Sequence, residues 1–87
     1  MKFKIADKEF DIQPAKTKSV LEIENKIGKS LTKLGEDFSF NDIIDIVTIA
    51  LTQADPSMTK DWVEENTGIA DVETFNKVIT YFLAQTK

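Results

Sequence analysis

The sequence predicts an α+β fold: an N-terminal β-hairpin packed on a bundle of four to five short helices, mostly α. Three observations lead there. Residues 2–13 alternate apolar and polar side chains, the period of a strand covered on one face. From residue 16 onward the apolar residues recur three and four apart, the helical period. Within that region Asn41 to Gln53 holds seven apolar residues in thirteen. A segment with so little polar surface belongs at the centre of the fold.

The hairpin comes first. Phe3 and Ile5 share one face of a first strand, and Phe10 and Ile12 share one face of a second. The polar Asp7-Lys8 between them fits a tight turn. A lone two-stranded hairpin is marginal in water, so its Phe and Ile face requires helices over it. Pro14 has no amide hydrogen to give to a ladder and ends it.

A first helix is expected from Lys16 or Lys18 to Ile27. Thr17 or Ser19 can cap it, and Ser19-x-x-Glu22 has capping-box spacing. Val20, Ile23 and Ile27 form its apolar stripe, and Gly28 can stop it in the left-handed conformation. Ser30 to Leu34 reads as a further helical turn with Leu31 and Leu34 inward, closed by Gly35.

Phe38 and Phe40 introduce the central segment, Asn41 caps it, and Phe40 can staple onto its first turn. Ile43, Ile44, Ile46, Val47 and Ile49 are β-branched and would also suit a strand. The cap, the length and a polar stripe of Asp45, Thr48 and Thr52 at helical spacing favour helix. That stripe is expected to be the wet side. Ala54 to Ser57 is a turn, and Thr59 caps a short helix from Lys60 to about Glu65, broken by Asn66-Thr67-Gly68. Asp71 caps a last helix from Val72 to Ala84 with Val72, Phe75, Val78, Ile79, Phe82 and Leu83 on its apolar face.

All 87 residues form one domain, 1–87, divided into the hairpin of residues 1–13 and the helical part of residues 16–87. A chain of this size buries roughly 60 to 68% of the surface it exposes when unfolded. It contains no histidine and no cysteine. The usual general base, the most reactive nucleophile and the commonest transition-metal ligands are therefore missing. Gly28, Gly35 and Gly68 are scattered, so they assemble no phosphate-cradling loop. No catalytic, cofactor or metal residue is expected, and an enzyme is not predicted. The longest apolar run, Tyr81 to Ala84, is far short of the ~20 residues that span a bilayer. With no apolar signal region after Met1, the expected location is the cytoplasm.

Thr59 to Leu83 has the outline of a helix-turn-helix. Its second helix would lead with Asp71 and Glu73 and offer Lys77 alone before Lys87, a face that repels phosphate. DNA binding is therefore the weaker alternative, behind a generic protein-protein interaction or regulatory module. The candidate partner-binding residues are aromatic: Trp62, beside Asp61, Glu64 and Glu65, and Tyr81 with Phe82 near the C-terminal end. Trp62 fits either the core, as its largest filler, or an anchor for another chain, since Trp and Tyr are enriched at interaction hot spots.

The order of features over residues 3 to 53 resembles the small tail assembly chaperones of long-tailed phages and related gene-transfer particles. The resemblance is carried by the hairpin Phe3 to Pro14, by Leu21-Glu22-Ile23-Glu24 in a helix closing at Ile27-Gly28, by the Leu31 turn, and by the apolar helix ending Ile49-Ala50-Leu51. Where such hairpins often turn on glycine this chain has Asp7, and its basic residues are all lysine. The resemblance implies a non-enzymatic protein of the host cytoplasm that binds the long, hydrophobic tape measure protein. It would keep that partner soluble while tail tube subunits, themselves a second candidate partner, polymerise around it. The resemblance also implies self-association.

Charge supports the last expectation independently. The net charge of −4 combines eight lysines against five carboxylates in residues 1–33 with three lysines against ten carboxylates in residues 34–87. One reading is a solvated surface with uneven charge; the sharper one is that opposite ends attract, which would favour weak head-to-tail homo-oligomers. Light scattering should therefore give a mass above the monomer at low ionic strength that falls towards the monomer as salt screens the attraction. A strict monomer at both ionic strengths would contradict this.

Overall fold

The computed structural model of the chain describes residues 1–28 and 39–83. The expected turn at Ser30 to Leu34, with Leu31, Leu34, Gly35 and Phe38, lies outside the described residues, as does Ala84.

Strands β1 (Lys2–Ile5) and β2 (Lys8–Asp11) pair antiparallel, with Phe3 opposite Phe10 and Ile5 opposite Lys8. The Ile12 amide extends the ladder by donating to the Met1 carbonyl at 2.7 Å. Alternation buries Ile5, Phe10 and Ile12, half-buries Phe3, and turns Lys2, Lys4, Glu9 and Asp11 outward. The turn falls on Ala6-Asp7, with φ 51° and 65°, one residue earlier than expected. Both registers keep the same apolar face. The observed one, however, sets Lys2 across from Asp11 and Lys4 across from Glu9, two opposite-charge pairs on the outer face. It also gives a left-handed position to Asp7 rather than Lys8, and aspartate tolerates that conformation better.

Helix α1 (Thr17–Ile27) starts without a side-chain cap. Neither Thr17 nor Ser19 plays that part: Ser19 is buried within the helix and its hydroxyl donates to Gln53 Oε1 at 2.7 Å. Ile23 is fully buried, with Ile27 partly so. Gly28 stops the helix as expected, at φ 70° with its amide on the Glu24 carbonyl at 2.9 Å.

Helix α2 (Phe40–Ala54) is the centre of the fold and touches α1, β2 and the two later helices. Its cap is Ser39 rather than Asn41. Ser39 and Asp42 satisfy each other's amides at 3.1 and 3.3 Å, two orphan donors where Asn41 would satisfy one. Phe40 thus lies inside the first turn, 40% exposed, and cannot act as the staple that precedes a cap.

Asp55 ends α2, and its Oδ1 accepts both the hydroxyl and the amide of Ser57, at 2.7 and 3.1 Å. Those bonds, helped by Lys8 Nζ at 3.6 Å from Oδ2, hold the carboxyl below its usual range. Helix α3 (Lys60–Asn66) is capped by Thr59 as expected, through the Trp62 amide at 3.1 Å. A 3-10 turn, Ile69–Asp71, leads into α4 (Val72–Phe82). The Asp71 carboxylate, expected to cap α4, accepts the Gly68 amide at 2.8 Å and closes the 3-10 turn instead. Phe75, Val78 and Phe82 of α4 are fully buried, with Ile79 and Leu83 nearly so.

Hairpin and helices contribute to one hydrophobic core, and the result is the predicted α+β fold with four α-helices among the described residues. Polar side chains tie its entry point down. Gln53 Nε2 donates to the Pro14 carbonyl at 3.1 Å, and its Oε1 accepts the Lys16 amide and the Ser19 hydroxyl. The Ala15 amide reaches the Phe82 carbonyl at 2.8 Å, linking the segment after the hairpin to the last turn of α4.

Ala6 and Asp7 occupy positions that favour Asn-Gly. Replacing them together, Ala6→Asn with Asp7→Gly, should raise stability by roughly 1–2 kcal/mol, read as a higher urea midpoint at unchanged slope. A lower midpoint would show that the turn is not under conformational strain.

Candidate functional site

The polar stripe of α2 is wet only in part: Asp45 is covered, while Thr48 and Thr52 are half-buried. Asp45 is 5% exposed, and the start of α3 lies over it. Lys60 Nζ stands 2.9 Å from Asp45 Oδ1 and donates to Asn41 Oδ1 at 3.1 Å. At that distance Lys60 and Asp45 form a charge-assisted ion pair. Thr52 donates its hydroxyl to the Thr48 carbonyl at 2.8 Å and lies 3.4 Å from the Met58 carbonyl. Thr48 Oγ1 is buried and has no hydrogen-bond partner among the described residues. The correction to the expected wet side has a simple cause. An isolated carboxylate cannot be buried cheaply, and its partner Lys60 lies on another helix, invisible to the periodicity of α2. The Asp45 contact is also the main reason that the Lys60 pKa lies above the ordinary lysine value of 10.5.

The aromatic candidates separate. Phe82 is fully buried and is a core residue here, not a partner-binding one: it continues the stripe of Phe75, Val78 and Ile79. Tyr81, one position and about 100° round the helix, is half-buried, its ring centroid 6.3 Å from that of Phe3. Trp62 is also half-buried and meets Phe10 nearly edge-on, at 6.0 Å and 76°. Because Phe3 and Phe10 face each other across the ladder, Trp62 and Tyr81 stand at the two ends of one aromatic row that crosses the hairpin. Both carry core packing and retain exposed surface.

Tyr81 also belongs to a feature that the sequence did not announce. Met1 and Phe3 form one side of an open groove of about 540 Å³, and Glu73, Asn76, Lys77, Thr80 and Tyr81 form the other. The α4 positions recur at the spacing of a single helix face. In the sequence that face reads as solvated, since four of its five residues are polar. The groove arises because Phe3 is only half covered and the stems of those polar residues flank it.

No group of three His, Cys, Asp or Glu side chains among the described residues could hold a metal ion. None of the described helices is long and apolar enough to cross a membrane. No protein-family model matches the chain, and no curated protein or solved structure is significantly similar to it.

Removing the Lys60 charge strands Asp45. Lys60→Met should therefore destabilise the domain by roughly 1–3 kcal/mol, less than a fully buried pair would cost because Lys60 is about a third exposed. Adding Asp45→Leu should recover most of that loss in urea unfolding. The raised Lys60 pKa stabilises the fold fully below 10.5, and the contribution disappears as pH rises through the folded value. The lowered Asp55 pKa works at the other limit: its contribution is present above 3.8 and is lost as pH falls through the folded value. Unfolding midpoints should be insensitive to these two groups between those limits. A midpoint for Lys60→Met equal to that of the parent protein would refute the Asp45 contact.

Proposed function

We propose that this chain is a non-enzymatic tail assembly chaperone, acting in the host cytoplasm by binding the tape measure protein and keeping it soluble while the tail tube forms. The observation that carries the reading is the apolar groove beside Phe3 and Tyr81. It offers apolar contact surface without reactive groups, as the capture of a long hydrophobic polypeptide requires. The hairpin, the α1 stop at Gly28 and the apolar α2 are the parts of residues 3 to 53 that resemble the family, and the hairpin supplies that groove's β1 wall.

A helix-turn-helix role receives less support. Asp61, Glu64 and Glu65 of α3 and Glu73 of α4 are all exposed, and a phosphate backbone would be repelled by them. A generic interaction module would use the same groove. The two readings differ in the partner: the chaperone's gene should be followed by one encoding a very long, helix-rich protein.

Co-expression with that protein is the direct test. The chain should raise the partner's soluble yield and co-purify with it. Tyr81→Ala should cut the retained partner several-fold while leaving the circular dichroism spectrum unchanged. No gain in solubility together with no co-purification would overturn the assignment.

A further inference from the structure

The Met1–Ile12 backbone bond fixes the phase of the hairpin ladder. In an antiparallel pair, bonded and non-bonded positions alternate, so Phe3 and Ile5 bond to β2 while the amides and carbonyls of Lys2 and Lys4 point away from it. None of those four groups has a backbone partner among the described residues. The edge they form adjoins the groove, because Phe3, between the two lysines, is one of its lining residues. Each strand also meets a helix, β1 meeting α4 and β2 meeting α2, and Trp62 of α3 packs on Phe10 of β2.

We propose that the β1 edge takes up one extended segment of a partner polypeptide as a third, antiparallel strand, and that this segment alternates acidic and apolar residues. The inference rests on the reading of the chain as a binder of another polypeptide, and it specifies how the segment is held. Backbone bonds to Lys2 and Lys4 supply a sequence-independent grip. The pleat then sends alternate side chains to opposite faces. On the inner face, apolar side chains fill the groove against Phe3 and Tyr81. On the outer face, acidic side chains lie directly beside Lys2 and Lys4, both exposed, and Lys77 adds positive charge along the groove wall. Lys2 and Lys4 stand on the edge strand itself, with their ladder partners Asp11 and Glu9 one strand further from the added segment, and Lys77 lines the groove together with Glu73. Edge lysines also discourage pairing with another copy of β1, since like charges would then face each other.

The probe is a fluorescein-labelled eight-residue peptide of alternating Glu and Val, blocked at both ends and titrated with the full chain in fluorescence anisotropy. It should bind, and the Lys/Val analogue of equal apolar content should not. In an antiparallel strand the bonds to β1 come from the residues on the Lys2 and Lys4 face, here the glutamates. N-methylation of the Glu amides should therefore abolish binding, while N-methylation of the Val amides leaves it intact. Lys2→Glu with Lys4→Glu should weaken the Glu/Val peptide at least about fivefold, with an unchanged circular dichroism spectrum. Three results would overturn the proposal: no binding at about 1 mM chain, equal affinity for the Glu and Lys peptides, or equal loss from the two methylations. Absence of peptide binding while the long partner still co-purifies would remove this strand mode alone and leave the assembly role standing.

Discussion

Everything in this fold answers the demand of α2 for cover. A helix apolar on most of its surface is stable only when covered, and at fifteen residues it is long enough to need several neighbours. α1 lies along one side, α4 along another, and β2 reaches a third. The remaining stripe, built on Asp45, is closed by α3 through Lys60. That last contact is of a different kind from the rest. Apolar burial contributes about 25 cal/mol per Å² regardless of direction, whereas the Asp45 carboxylate accepts only a cation brought to one place. The apolar neighbours supply stability, and the ion pair selects where α3 must lie.

The sequence revealed what depends on local period and concealed what depends on a distant partner. The apolar faces of the hairpin and α4, the stop at Gly28 and the Thr59 cap were legible because each is set by residues a few positions apart. The hairpin turn was missed by one residue because two registers present the same Phe and Ile face, and only the cross-strand charges and the tolerance of Asp7 for positive φ distinguish them. The α2 cap moved from Asn41 to Ser39 because reciprocal bonding with Asp42 outweighs a single cap bond. Ser19, which like Thr17 could cap α1 by its spacing, is instead a buried donor to Gln53, a residue on another helix.

The candidate site shows the same division. Trp62 is legible in the sequence as a large aromatic beside three acids, Tyr81 as an aromatic next to Phe82, and both retain exposed surface. Phe82, adjacent to Tyr81 in the chain, faces the core because neighbouring residues on a helix point about 100° apart. The groove itself was not legible. Its α4 wall is written in ordinary polar residues, and its other wall is a strand that pairs on one side only. Neither feature alters the period of the sequence.

The Ala15–Phe82 bond and the contact between Phe3 and Tyr81 join segments far apart along the chain. Ring closure over such a distance is entropically expensive, and contacts of that kind slow folding relative to local ones. The seam between them holds the groove and fewer buried contacts than the α2 core, and seams of that kind open below the cost of global unfolding. Amide exchange should report such partial opening as faster in β1 than in the middle of α2. The wall proposed to meet a partner is thus also a part of the domain that can yield to admit one.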